Sequence, residues 1–177
     1  MLNFQDKGLI YVFTGNGKGK TTAAIGQAVR AIGQEWKVLM VQFIKEWISG
    51  EVPSLKKLGI EIYPMGEGFV GIMGDTKPRE VHEKAARKAL EFAQEKVNSG
   101  DYDLLILDEV NVAVSLGLLD VKSVLDFLKD KPEKLNVILT GRNAPKELIE
   151  AADLISEVKE IKHPFAEGKK AKRGIEF

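Results

Sequence analysis

The string Thr14-Gly15-Asn16-Gly17-Lys18-Gly19-Lys20-Thr21-Thr22 gathers the residue types that grip a polyphosphate. It follows the spacing G-x-x-x-x-G-K-[ST], with Thr14 where that pattern places its first glycine. Glycines let successive backbone N–H groups turn inward on phosphate oxygens at a range that a Cβ would obstruct. A helix beginning near Lys20 adds roughly half a positive charge at its N-terminus. Lys20 itself adds a full, mobile one, and the Thr21 hydroxyl is a suitable Mg²⁺ ligand. Gly15, Asn16, Gly17, Lys18, Gly19, Lys20, Thr21 and Thr22 are therefore the candidate ATP-binding residues. Lys18 reads either as a direct phosphate contact or as a solvated side chain. The first-glycine position mainly shapes the turn, so its replacement should matter less than loss of Lys20.

A second acidic motif lies far along the chain. In D-L-L-I-L-D-E-V an apolar strand delivers Asp108 and Glu109 to its carboxyl end, the edge where ligands bind in open α/β sheets. This is a Walker B segment, and either carboxylate suits a hard ion that takes oxygen ligands and keeps part of its water shell. Gln42, Lys45, Asn111, Thr140 and Arg142 should reach the same edge. Arg142 can ligate phosphate bidentately or pair with a carboxylate. His82 and His163 lack metal-ligand spacing and read as structural. No Ser/His/Asp set is evident, so water or a second substrate must supply the nucleophile. These motifs specify a nucleotide and not a reaction: attack at the γ-phosphate by an ATPase or kinase stays open on them.

The elements that must position these groups read as short continuous apolar runs separated by helix-period stretches, the pattern of a parallel sheet covered on both faces. The expected fold is a three-layer α/β domain of the P-loop NTPase (RecA-like) kind, with a mostly parallel central sheet flanked by helices over residues 1–177. Strands are expected at Gly8 to Thr14, Lys37 to Ile44, Ile60 to Tyr63, Asp103 to Leu107 and Asn136 to Thr140. Helices are expected at Thr21 to Ile32, Pro78 to Val97, Val121 to Leu128 and Ala144 to Ala152. Ala24, Ile25, Ala28 and Ile32 should face inward from the first helix, with Gly33 as its stop. Val81, Ala85, Ala89, Phe92 and Ala93 should do so from the longest. Met65 to Lys77 contains four glycines among apolar residues and reads as a mobile surface loop. The basic tail from Lys162 ends apolar, which suggests that it docks.

Composition narrows the partners. Lys+Arg and Asp+Glu both total 26, which removes a long-range pull toward nucleic acid or an anionic membrane and argues against a DNA-binding switch module. No run reaches the roughly 18 apolar residues of a membrane span, and the first residues lack a signal-peptide pattern. The absence of Cys removes disulfides and thiolate metal sites and fits a reducing, cytoplasmic compartment.

Taken together, several strings resemble the P-loop type of ATP:corrinoid adenosyltransferase, which makes the adenosyl form of vitamin B12 and its precursors. They are V-F-T-G-N-G-K-G-K-T-T-A-A at Val12 to Ala24, V-Q-F-I-K at Val41 to Lys45, G-E at Gly50 and Glu51, and G-F at Gly68 and Phe69. L-D-E at Leu107 to Glu109, T-G-R at Thr140 to Arg142 and the closing G-I-E-F complete the set. Thr14 in place of the first glycine belongs to that family's pattern. The resemblance implies that Co(I) of a reduced corrinoid is the nucleophile, attacking C5′ of ATP and releasing triphosphate. It implies ATP as co-substrate with Mg²⁺ as cofactor, Lys20, Thr21 and Glu109 as catalytic residues, and Arg142 on ATP. Thr21, Asp108 and Glu109 would face the metal, and Phe69, Gln42 and Lys45 the corrinoid. A Trp familiar two residues beyond Phe69 is replaced by Gly71, and Ile72 or Met73 is the available substitute. The resemblance further implies an electron-donating flavoprotein and a homodimer in which an N-terminal extension covers the neighbouring site, a cover that would here be short, missing or replaced.

Overall fold

The computed structural model describes residues 7–46, 49–72 and 74–175. In chain order they form β1 (Ile10–Thr14), α1 (Lys20–Ile32), β2 (Val38–Gln42), α2 (Glu51–Lys57), β3 (Glu61–Pro64) and α3 (Arg79–Ser99). There follow β4 (Leu104–Asp108), α4 (Val110–Ser115), α5 (Val121–Asp130), β5 (Asn136–Thr140), α6 (Lys146–Ala151), β6 (Leu154–Glu157) and a 3₁₀ turn at Pro164–Glu167. The six strands form one sheet in the order β3-β2-β4-β5-β1-β6. Every pairing is parallel.

Central strands in such a sheet have no solvent face, which is why β2 and β4 are buried at every position. Alternate residues feed two cores. Leu39, Val41, Leu105 and Leu107 pack with Ala86, Ala89, Val124, Phe127 and Leu148 from α3, α5 and α6. Val38, Met40, Leu104 and Ile106 pack with Ala24, Ala28, Val52 and Leu55 from α1 and α2. The sheet is thus the middle of three layers, as the sequence pattern requires.

Parallel strands bring all their carboxyl ends to one edge, and register then sets which end groups meet. Gln42 lies opposite Asp108. The β4–β5 ladder carries Leu107 opposite Leu139, so Thr140 arrives beside Asp108. β5 separates β4 from β1, whose last paired residue before Thr14 lies opposite Thr140.

Several expectations are corrected. α2, α4, β6 and the 3₁₀ turn were not legible, and the buried face of α3 is His82, Ala86, Ala89, Leu90, Ala93 and Val97. Val81 is exposed, because the helix is rotated by about one position to seat Leu90 and Val97. Gly33 caps α1 in a right-handed conformation. The left-handed turn that follows falls at Glu35, with φ 63°.

The described residues of the segment from Met65 to Lys77 form a cross-braced loop. Met65, Gly66 and Gly68 donate backbone N–H groups to the carbonyls of Gln42, Lys45 and Ile44. A Cβ on Gly66 would stand 2.1 Å from the Ile44 carbonyl carbon. Lys77 Nζ spans Glu46, Glu67 and the Glu67 carbonyl. The Asp75 carboxylate takes the backbone N–H groups of Gly71 and Lys77 and lies 3.1 Å from buried His82 Nε2. In the described part of the tail Ile161 and Ile175 are 91% and 62% exposed. Met73, the first six residues and the last two lie outside the described residues.

Candidate active site

The phosphate loop occupies the turn between β1 and α1. Gly15 and Gly19 have φ of 96° and 125°, which L side chains rarely adopt. Thr14 is the last residue of β1, and its Oγ1 accepts the Ala144 N–H at 3.2 Å. That contact gives a side chain, in place of the pattern's glycine, a job in joining β1 to the turn after β5. Lys20 is 6% exposed and donates from Nζ to the Gly15 and Gly17 carbonyls, both at 2.7 Å. Burial lowers its pKa, Glu109 opposes that, and Arg142 reinforces it.

The end of β6 closes the loop from behind. Val158 donates its N–H to the Thr14 carbonyl and accepts the Gly17 N–H, both at 2.8 Å. A Cβ on Gly15 or Gly17 would come within 2.5 Å of Val158 O or 2.7 Å of the Lys159 backbone. The Gly17 amide, expected to face phosphate, is therefore committed to the protein. This brace was invisible in sequence, since Val158 carries no side-chain chemistry and lies far from the motif.

Asp108 is the hub of the site. It is fully buried, and its Oδ1 accepts the hydroxyls of Thr21 at 2.8 Å and Thr140 at 2.7 Å. Its Oδ2 accepts Gln42 Nε2 at 3.0 Å and lies 4.0 Å from Lys45 Nζ. Lys45 makes its close pair with Glu51, at 2.5 Å. The Gln42 amide also reaches Glu51 at 3.5 Å. Burial would raise the Glu51 pKa, but the Lys45 hydrogen bond and backbone support hold it down at about 2.

Glu109 is left-handed, with φ 63° and ψ 18°, and its N–H is anchored on Thr140 Oγ1 at 3.0 Å. Burial first, then the Asp108 charge, raises the pKa of its carboxyl. Asn111 is fully buried, reaches the Gly141 carbonyl at 3.5 Å, and leaves Oδ1 without a partner. Arg142 is exposed just past β5, near enough to act electrostatically on both Lys20 and Glu109.

The structure therefore brings the loop, Lys20, Thr21, Asp108, Glu109, Arg142, Gln42 and Lys45 to one edge. Gln42 is fully buried with its amide on Asp108, a position from which it does not face a large ligand. Asn16, Lys18 and Thr22 are on the exposed side of the loop. Phe69 is 39% and Ile72 59% exposed on the braced loop, beside a cavity of about 230 Å³ that Glu46, Glu67 and Lys77 also line.

A Thr hydroxyl and an Asp carboxylate with oxygens 2.8 Å apart suit a hard cation. Two ligands at about 2.1 Å in octahedral geometry would place neighbouring oxygens at close to this separation. Among the described residues no three His, Cys, Asp or Glu side chains cluster as a metal cage. The Thr21 and Asp108 oxygens are donors of the kind that suits Mg²⁺ shared with phosphates and water.

Comparison with known proteins agrees with this geometry. Residues 6–177 match the family described as ATP:corrinoid adenosyltransferase BtuR/CobO/CobP. The chain is 40% identical to a corrinoid adenosyltransferase of Escherichia coli strain K12, over 97% of this chain and 87% of that one. It is 43% identical to one from Sinorhizobium sp, over 97% and 81% of the two chains. With the corresponding protein of Salmonella typhimurium the identity is 37%, over 98% and 87%.

Proposed function

The chain belongs to the ATP:corrinoid adenosyltransferase family, and on that footing we infer that it transfers the 5′-deoxyadenosyl group of ATP to Co(I) of a reduced corrinoid, for cobalamin biosynthesis or salvage. The observation that carries the reading is the family match over residues 6–177, supported by the convergence of Lys20, Thr21 and Asp108 at the phosphate loop. The cobalt electron pair forms the bond to C5′, the C5′–O bond breaks, and its electrons leave on inorganic triphosphate. No protein nucleophile is needed for this step.

The residues supply grip and charge. Lys20 and the loop amides would hold the triphosphate, with Arg142 approaching from the end of β5. Preorganised donors of this kind are worth about 3 kcal/mol, or 10² to 10³ in rate, at a leaving group. Thr21 and Asp108 would hold Mg²⁺, with Glu109 beside them. Once bound, Mg²⁺ would neutralise charge on the leaving triphosphate. Phe69 and Ile72 would present an apolar wall to the corrinoid, with Lys45 at its border, while Gln42 serves Asp108. A flavoprotein electron donor, a homodimer and a cytoplasmic setting complete the proposal. Among the described residues no helix is long and apolar enough to cross a membrane.

The test is anaerobic incubation with MgATP and chemically reduced cobalamin, following the light-sensitive adenosyl product together with the phosphate product. Adenosylcobalamin should form in step with triphosphate and fall at least 10²-fold in Lys20→Ala. Orthophosphate alone, with neither cobalamin nor cobinamide adenosylated, would instead establish attack at the γ-phosphate.

A further inference from the structure

We propose that Glu51 is a positioning residue that holds the Lys45 ammonium off Asp108, and so keeps that carboxylate open to a divalent cation. The proposal rests on the magnesium-nucleotide reading of the site. Asp108, Gln42, Glu51 and Lys45 form a closed ring: 3.0 Å from Asp108 to the Gln42 amide, 3.5 Å from that amide to Glu51, 2.5 Å from Glu51 to Lys45, and 4.0 Å from Lys45 back to Asp108. Lysine is the one mobile cation in it. Closing the remaining gap to the roughly 2.8 Å of a charge-assisted contact is a small swing for a flexible four-carbon stem. That swing would put an ammonium on Oδ2 of the carboxylate whose Oδ1, with the Thr21 hydroxyl, would hold the metal, and its charge would oppose a cation there.

The position of the ammonium is set by competition between two carboxylates. Asp108 Oδ1 already accepts two hydroxyls and Oδ2 an amide, so much of its charge is spoken for. Glu51 Oε1, by contrast, takes the close Lys45 contact, and its side chain is 19% exposed. It stays ionised over the whole neutral and mildly acid range. The other charges facing the hub, Lys20, Glu109 and Arg142, lie on other elements and do not close this ring. Gln42, fully buried, fixes the spacing of the two carboxylates. Removing the Glu51 charge leaves Asp108 as the stronger attractor, and Lys45 becomes an internal competitor of the cation.

The experiment measures binding of a fluorescent ATP analogue in EDTA and in excess MgCl₂, with no corrinoid present. In the unmodified protein Mg²⁺ should tighten binding. In Glu51→Gln that gain should shrink about 10-fold, the low end of what losing support around a metal ligand costs. Affinity in EDTA should stay at the wild-type value, which also reports an intact fold. The double variant Glu51→Gln/Lys45→Met should recover most of the gain, and Lys45→Met alone should match or exceed the wild type. An unchanged gain in Glu51→Gln, a double variant no better than the single, or a reduced gain in Lys45→Met would each overturn the proposal. If the unmodified protein bound equally in EDTA and MgCl₂, the magnesium reading would fall as well. Adenosyl transfer, measured separately, would remain its own question.

Discussion

Thr140 shows how much of this site depends on a single hydroxyl. It donates to Asp108 Oδ1 and accepts the N–H of Glu109, so one side chain fixes a buried carboxylate and holds its left-handed neighbour in place. Thr140→Val keeps shape and volume but leaves Asp108 short of a donor and the Glu109 amide unpaired. An unsatisfied buried polar group costs about 1–3 kcal/mol. The variant should unfold that much more easily in urea and bind nucleotide more weakly in MgCl₂, while Thr140→Ser should restore both. Full stability in Thr140→Val would mean that Thr21 and Gln42 suffice to hold Asp108. Lys20, Thr21 and Asp108 were legible in sequence because their chemistry demands fixed local spacing. Thr140 was legible only as a resident of the right edge. Its bonds to residues 31 and 32 positions away follow from the strand order, which no local pattern encodes.

The elements divide in the same way. Strands β2, β4 and β5 were readable because double-sided burial demands unbroken apolar runs, and α1, α3 and α5 because their apolar stripes are long. β6 was not, since an edge strand of four residues, all exposed, needs no apolar pattern. Yet β6 leads into the brace behind the phosphate loop, which separates two glycines of similar appearance. Gly17→Ala drives a Cβ to 2.7 Å from the Lys159 backbone. Overpacking of this kind costs about 1–3 kcal/mol, and here it should also loosen nucleotide binding. Gly26, on the exposed side of α1 with nothing within 4 Å of a Cβ, should respond in the opposite sense. Gly26→Ala should raise stability by about 0.5–1 kcal/mol, because alanine relieves the entropic cost of glycine inside a helix. Paired denaturation curves and nucleotide titrations check both, and similar effects at the two positions would mean that the β6 brace does not bear on the loop.

At the scale of the whole molecule, one edge of one sheet must serve a hydrophilic triphosphate and a large macrocycle together. Beside that edge the loop that begins at Met65 hangs from the end of β2 through backbone bonds to Gln42, Ile44 and Lys45, next to the residues that ring Asp108. Its glycines permit close approach and positive φ, and Lys77, Asp75 and His82 make hydrogen bonds across it. The neighbouring cavity of about 230 Å³ is below the few hundred Å³ of even a drug-sized site. On the proposed reading a corrinoid would lie over this loop, against exposed Phe69 and Ile72. If that geometry holds, Phe69→Ala should remove buried aromatic contact from the corrinoid alone. We expect the KM for reduced corrinoid to rise or kcat to fall by about 10-fold, the equivalent of 1.4 kcal/mol, with the affinity for the ATP analogue and the urea midpoint unchanged. A matching loss of nucleotide affinity would show instead that Phe69 braces the loop, and through it the Asp108 ring, and would shift the corrinoid contact elsewhere on this edge.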